Sequence, residues 1–263
     1  FPFPVKYGYC ATGVVEDGPA DLLGRTVFCL HPHQDLFDAP LGMLAVVPDG
    51  IPARRASLAA NMETALNAHW DAGTGPGDRI AVVGAGVVGL LIAHLAARIP
   101  GTEVTVYDVD PSRRGIAEGF GCDFVDAGAI AKGAAPAPGS SVAPGDFPAG
   151  SRPPGADTDP GRPPISDGAA PAPDSLVAPD DSPAGSRSPG AEGATKDCDV
   201  VFHASVSAAG LDLAISLAGL EGTVVEMSWY GSKPVQVDLG GAFHSRRLKL
   251  VSSQVGMISP GRR

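Results

Sequence analysis

Residues 79–91 read RIAVVGAGVVGLL, and no other stretch narrows the possible folds so far. Four apolar residues run into Gly84-x-Gly86-x-x-Gly89 and then into a second apolar segment. That is the pattern of a strand, a tight turn and a helix. Each glycine has a separate physical task. Gly84 permits the sharp turn, Gly86 lets backbone amides approach a diphosphate, and Gly89 lets helix and strand pack closely. Val87 and Val88 then open the helix, whose unpaired N–H groups and positive dipole end favour an anion. Glycine turns are common, so the pattern is weak alone. Here it opens a βαβ unit, because EVTVYD (103–108) reads as a second strand after helix VVGLLIAHLAARI. That strand ends at Asp108, about 20 residues past Gly89, where a carboxylate can accept hydrogen bonds from a ribose and repel a 2′-phosphate. The expected cofactor is therefore NAD, with NADP disfavoured. Asp110, directly before Pro111, is the natural cap of the next helix. Arg113 either lies near the adenosine or is a solvated helix charge.

The rhythm extends along the chain. Residues 1–58 hold short apolar runs (YCATGVV, RTVFCL, GMLAVVP) broken at GPAD and HPHQD, a β-rich pattern. Residues 53–72 are alanine-rich with apolar positions at helical spacing, predicting a helix, and 59–77 is expected to be the bridging helix between the two domains. From residue 78, strands RIAVV, EVTVYD and CDFV alternate with helices, and DCDVVFHAS, GTVVEMSW and RRLKLVSSQVG supply three more strands. Six strands in that rhythm predict an α/β, doubly wound Rossmann sheet over 78–132 and 196–263.

Between its third and fourth strands lies 133–195, almost wholly Ala, Pro, Gly, Ser and Asp. AAPAPGSSVAPGDFPAGSRPPGA (from Ala134) recurs as AAPAPDSLVAPDDSPAGSRSPGA (from Ala169). Solenoid repeats carry apolar faces, and these copies do not. With so little to bury, the duplicated insert is expected to be a disordered tether.

Composition removes several classes. A net charge of −10 argues against a nucleic-acid surface, which needs a basic face. No apolar run reaches the length of a membrane span. Cys10, Cys29, Cys122 and Cys198 form no CxxC pair, which suits reduced thiols and a cytoplasmic location. The opening FPFPVKYGYC has no basic leader and reads as the middle of a longer chain.

The GYC turn, the bridging helix, GDRIAVVGAGVVGLL and VTVYDVDPSRR together resemble the medium-chain dehydrogenase/reductase superfamily, which includes zinc alcohol dehydrogenases, polyol dehydrogenases and zinc-free quinone reductases. The resemblance covers nearly everything but the insert. It implies the tail of a GroES-like catalytic domain joined to the cofactor domain, a small-molecule substrate, and a homodimer or homotetramer. It also implies zinc positions, and this sequence departs from them. The turn that supplies a histidine ligand in zinc members reads Gly8-Tyr9-Cys10, and a later ligand position falls near Ala60 in SLAANMET. The structural-zinc lobe is replaced by RTVFCLHPHQDLFDAPLG. Zinc is therefore not expected.

Other side chains offer little. His31 and His33 flank a proline with no further ligand nearby, so a polar loop is the plain reading. Cys10 lacks a base, His69 suits packing beside Trp70, and His203 follows a strand where its backbone would approach the nicotinamide. Two catalytic candidates remain. By the resemblance, Tyr9 projects into the substrate cleft, where a phenol can polarise a carbonyl or relay a proton. Thr64 matches the position whose hydroxyl lies beside the nicotinamide, and Glu63 is a weaker neighbour. The expected activity is zinc-independent hydride transfer between NAD(H) and a carbonyl or alcohol. The alternative is an NAD-binding sensor or assembly subunit without turnover. A solvated tether stabilises nothing, so deleting residues 134–194 is expected to leave the urea midpoint of the remaining domain essentially unchanged.

Overall fold

The computed structural model describes residues 6–129 and 197–256, and the duplicated insert lies outside them. The described N-terminal part is a small antiparallel sheet, β1 (Ala11–Val14), β2 (Thr26–Cys29) and β3 (Leu44–Val46), in that order. Only the central strand buries side chains fully, those of Val27 and Cys29. The predicted helix over 53–72 is in fact two, α1 (Ala53–Ala56) and α2 (Ala59–Ala72). Ser57 sits at the break, and its hydroxyl donates to the Arg54 carbonyl (2.8 Å), competing with the helical ladder at that point. Helix α2 ends at Gly73, whose left-handed backbone (φ 69°) lets its N–H reach the His69 carbonyl.

The remaining strands form one six-stranded parallel sheet: β4 (Arg79–Val83), β5 (Glu103–Asp108), β6 (Asp123–Asp126), β7 (Cys198–His203), β8 (Ala218–Glu226) and β9 (Lys249–Ser252). The order is β6-β5-β4-β7-β8-β9, the doubly wound arrangement whose switch point falls between β4 and β7. The inner strands of such a sheet are covered on both faces, which is why β4 and the end of β8 read as apolar runs. Alternate residues serve opposite faces. Ile80 and Val82 pack with Ala65, Ala68, Ile92 and Ala93 beneath α2 and α3 (Val87–Ala96). Ala81 and Val83 pack with Leu211, Ala214 and Ile215 of α5 (Ala208–Leu217) on the other face. The short helices α4 (Arg114–Gly119) and α6 (Ala242–Ser245) complete the layers. Among the described residues no helix is long and apolar enough to cross a membrane.

His69 ties the bridge to this core. Its Nε2–H donates to the Ile92 carbonyl (3.0 Å) and its Nδ1 accepts from the Thr74 hydroxyl (2.9 Å), in edge contact with Phe202. Burial holds its pKa below 6.5, although the Ile92 hydrogen bond opposes the shift. The unfolded chain therefore takes up this proton first as the pH falls, and the stability contributed by neutral His69 is lost below pH 6.5. Urea midpoints are expected to drop between about pH 7 and about pH 5.5, and less steeply in His69→Gln.

Candidate functional site

Two of the three glycines in the turn, Gly84 and Gly89, sit where a side chain does not fit. Gly84 has φ +108°, and a Cβ there would lie 2.8 Å from the Ala204 carbonyl carbon and 2.9 Å from the Ser205 nitrogen. A Cβ on Gly89 would collide with the Gly84 carbonyl oxygen, whereas one on Gly86 would meet open space. Both facts fit a diphosphate: backbone is packed tightly behind the turn and room is left in front. Gly86 is the N-cap of α3 and carries no side chain, so the amides of Val87 and Val88 remain open to an anion. Val87 is exposed, and Val88 packs against the core.

Asp108 leaves the end of β5 and turns toward this loop. One carboxylate oxygen accepts from the Ala85 N–H (2.5 Å), the other from the Asp110 N–H (2.8 Å). Each oxygen keeps a lone pair with which a ribose hydroxyl can bond. Asp110 accepts from the Ser112 N–H (3.0 Å) and so caps the turn Pro111–Arg113. Arg113 lies 3.4 Å from the Asp110 carboxylate and is exposed.

A cavity of about 660 Å³ opens over the C-terminal ends of β4, β5 and β7. Gly84, Gly86 and Asp108 form one side; Ser205, Ser207 and Gly210 form the other. It lies at the switch point, where an open parallel sheet places its ligand.

The far wall contains an arrangement that residue spacing did not indicate. His203 is fully buried at the end of β7, and its pairing partner across the sheet is Glu226. Its Nδ1–H donates to the Glu226 carboxylate (2.8 Å), and Nε2 accepts from the Ser205 hydroxyl (2.8 Å). Ser207 Oγ lies 3.0 Å from Ser205 Oγ and also accepts from the Gly210 N–H (3.0 Å), capping α5. Burial pushes the Glu226 carboxyl up, but hydrogen bonds from His203 and from the Ser228 N–H outweigh it and hold its pKa below the usual carboxylate value. The Tyr230 phenol, 3.2 Å from the same carboxylate, is pushed up to about 12 by burial and by the Glu226 charge. The sequence signal was His203-Ala-Ser205-Val-Ser207 after a strand. Its completion by Glu226 depends on strand register.

The two catalytic candidates do not border this cavity. The Tyr9 hydroxyl donates to Asn61 Oδ1 (2.6 Å) at the start of α2. Thr64, one helical turn onward from Asn61, donates its hydroxyl to the Ala60 carbonyl (3.0 Å). Tyr9 and Thr64 thus flank the same stretch of α2 with both protons committed. Glu63 is exposed. His31 stacks on Phe37 at 3.8 Å, the His33 ring lies against Gly8, and Cys10 Sγ points to the Ser57 carbonyl (3.7 Å). Among the described residues no cluster of three or more His, Cys, Asp or Glu side chains could hold a metal ion. The zinc positions implied by the resemblance do not fit the metal, since Tyr9 is bonded to Asn61 and Ala60 has no ligating atom.

No family model matches the chain. Solved structures do. Galactitol-1-phosphate dehydrogenase from Escherichia coli superposes with a TM-score of 0.62 at 12% identity, covering 98% of this chain and 70% of that one. A short chain alcohol dehydrogenase from Escherichia coli CFT073, complexed with NADH, gives 0.57 at 14% identity, covering 93% and 66%. The quinone oxidoreductase of Thermus thermophilus, also solved with NADPH, gives 0.55 at 17% identity, covering 95% and 61%. The chain therefore spans less than two thirds of the second and third of these proteins. At such identities the likeness is one of fold.

The tightness behind the glycine turn can be measured. Gly89→Ala drives a methyl into the Gly84 carbonyl, so it is expected to cost about 1–3 kcal/mol in urea unfolding, with Gly86→Ala costing markedly less.

Proposed function

We propose that this chain is the cofactor-binding part of a zinc-independent oxidoreductase of the medium-chain type, moving hydride between NAD(H) and a carbonyl or alcohol. One observation carries the reading: Asp108 is bonded to the Ala85 amide within the Gly84–Gly89 turn, so a carboxylate and an open helix N-terminus face one cavity. The structures it resembles that hold NADH or NADPH support a nicotinamide nucleotide as ligand. When bound, the nicotinamide ring supplies the hydride or accepts it.

The chain's own residues have simpler tasks. The amides of Val87 and Val88 hold the diphosphate, Gly86 leaves it room, and Asp108 orients a ribose. The carboxylate also selects against a second phosphate, because two like charges at hydrogen-bond distance repel in a partly buried site. Arg113, already paired with Asp110, is a weak lure for that phosphate. Tyr9 is the donor proposed for a developing alkoxide, and Thr64 is proposed to line the nicotinamide side.

A second reading has an observation behind it. The hydroxyl protons of Tyr9 and Thr64 are both committed within the α2 region and away from the cavity. A protein that binds the nucleotide without turning it over, a redox sensor or an assembly subunit, would look the same. NADH oxidation against a panel of aldehydes, ketones and quinones separates the two. Binding without consumption selects the sensor.

The cofactor assignment has its own test. Asp108→Arg is expected to weaken NAD binding at least about tenfold, or about 1.4 kcal/mol, and to improve binding of NADP. Calorimetry with both nucleotides on the folded variant reads this directly. Unchanged NAD affinity removes Asp108 from the site.

A further inference from the structure

We propose that Ser205, His203 and Glu226 form a second catalytic site on this chain, a serine-hydrolase triad that cleaves short, uncharged carboxylic esters in the cavity beside Gly84. The geometry has the three parts that nucleophilic catalysis requires. A hydroxyl lies 2.8 Å from an imidazole nitrogen, and the other nitrogen lies 2.8 Å from a carboxylate. The carboxylate accepts only, so it fixes the Nδ1–H tautomer and leaves the Nε2 lone pair directed at Ser205. The register His203↔Glu226 holds the base and its orienting group on adjacent strands, which is a rigid mounting.

The nucleophile is placed where it can meet a substrate. Ser205 lies in the turn from β7 into α5 and borders the cavity. The next residue, Val206, has φ 54°, a conformation that a β-branched side chain rarely adopts. Strain at a strand–turn–helix corner is how a nucleophile is lifted over the end of a parallel sheet. Gly210 clears the space, since a Cβ there would collide with Ser205 Oγ and lie 2.8 Å from His203 Nε2.

Substrate class follows from the walls. Val83, Val109, Ala127 and Leu213 suit a short apolar acyl chain. Asp108 on the opposite side disfavours an anionic ester. The Val206 N–H is taken by Ser228 Oγ (3.1 Å) and does not serve the oxyanion. The open amides of Ala208 and Ala209, in the first turn of α5, take that role, and Ala209 is on the cavity wall.

The reaction balances without redox. Ser205 Oγ bonds to the ester carbonyl carbon while its proton passes to His203 Nε2. The carbon–alkoxy bond breaks, and the alcohol leaves with that proton. Water then bonds to the acyl carbon, giving its proton to Nε2. The bond to Oγ breaks, the proton returns to Ser205, and the carboxylic acid is released.

This inference does not depend on the oxidoreductase reading, although both ligands would share the cavity. The experiment uses the full 263-residue chain without nucleotide. It is incubated with 4-nitrophenyl butyrate, and nitrophenolate release is followed. A saturable rate is expected, at least about 100-fold lower in Ser205→Ala and about tenfold or more lower in Glu226→Gln. Ser216→Ala, whose hydroxyl only braces the Leu213 carbonyl, is expected to keep the full rate. A fluorophosphonate reagent, located by peptide mass spectrometry on the unmutated chain, is expected at Ser205, which settles the matter even if a variant fails to fold. Hydrolysis that survives in folded Ser205→Ala, or no adduct at Ser205, overturns the triad and leaves the hydrogen-bond chain as a brace for the β7–α5 turn.

Discussion

The Asp108 carboxylate bonded to the Ala85 amide is the contact on which the site depends. A strand-to-helix turn this tight has few ways to satisfy its own backbone. Gly84 sends its N–H to the Tyr107 carbonyl (2.8 Å), and Ala85 sends its N–H to the carboxylate of Asp108, the residue after Tyr107. The turn is thereby sewn to β5 by consecutive amides. A buried amide left unpaired costs about 1–3 kcal/mol, so replacing Asp108 disturbs the loop as well as any ligand. The same side chain sets the position of the glycine turn and the sign of the charge beside it.

Much of this was legible. The inner strands of the large sheet were visible because their apolar runs are covered on both faces, and β5 ends at the residue where its hydrophobic run meets a carboxylate. Their spatial order follows from right-handed crossovers once the strands are known. The small sheet was visible as a β-rich region, although β3 is reduced to Leu44–Val46 after a single 3-10 turn at Leu41–Met43. The break in the bridging helix was not visible. Helical spacing continues through Ser57, and only the local bond to Arg54 interrupts it.

The site was legible on one wall only. Glycine spacing and the carboxylate after β5 are local in sequence, so a motif can carry them. The His203–Glu226 pair is separated by a helix and appears only when β7 and β8 align residue for residue. A histidine after a strand gives no hint that its neighbour across the sheet is acidic. Tyr9 and Thr64 were drawn from position relative to a familiar pattern, which carries no signal of their hydrogen bonds to Asn61 and Ala60.

The two walls differ in what they offer a ligand, and donor–acceptor logic shows how. Starting from the ionised Glu226 carboxylate, each hydrogen bond fixes the next: Nδ1–H donates, Nε2 accepts, Ser205 donates, and Ser207 must donate to Ser205 because the single Ser205 proton is already spent on His203. The protons of this chain are all spent inward. Asp108 likewise presents only lone pairs. The remaining donors at the cavity are backbone amides at the starts of α3 and α5, both carrying the positive end of a helix dipole. A ligand that suits this cavity therefore brings hydroxyl protons to the side chains and negative charge to the helix ends. A dinucleotide does so with its ribose and diphosphate. An ester does so only as its carbonyl oxygen becomes an oxyanion, which is the difference between binding a ground state and favouring a transition state.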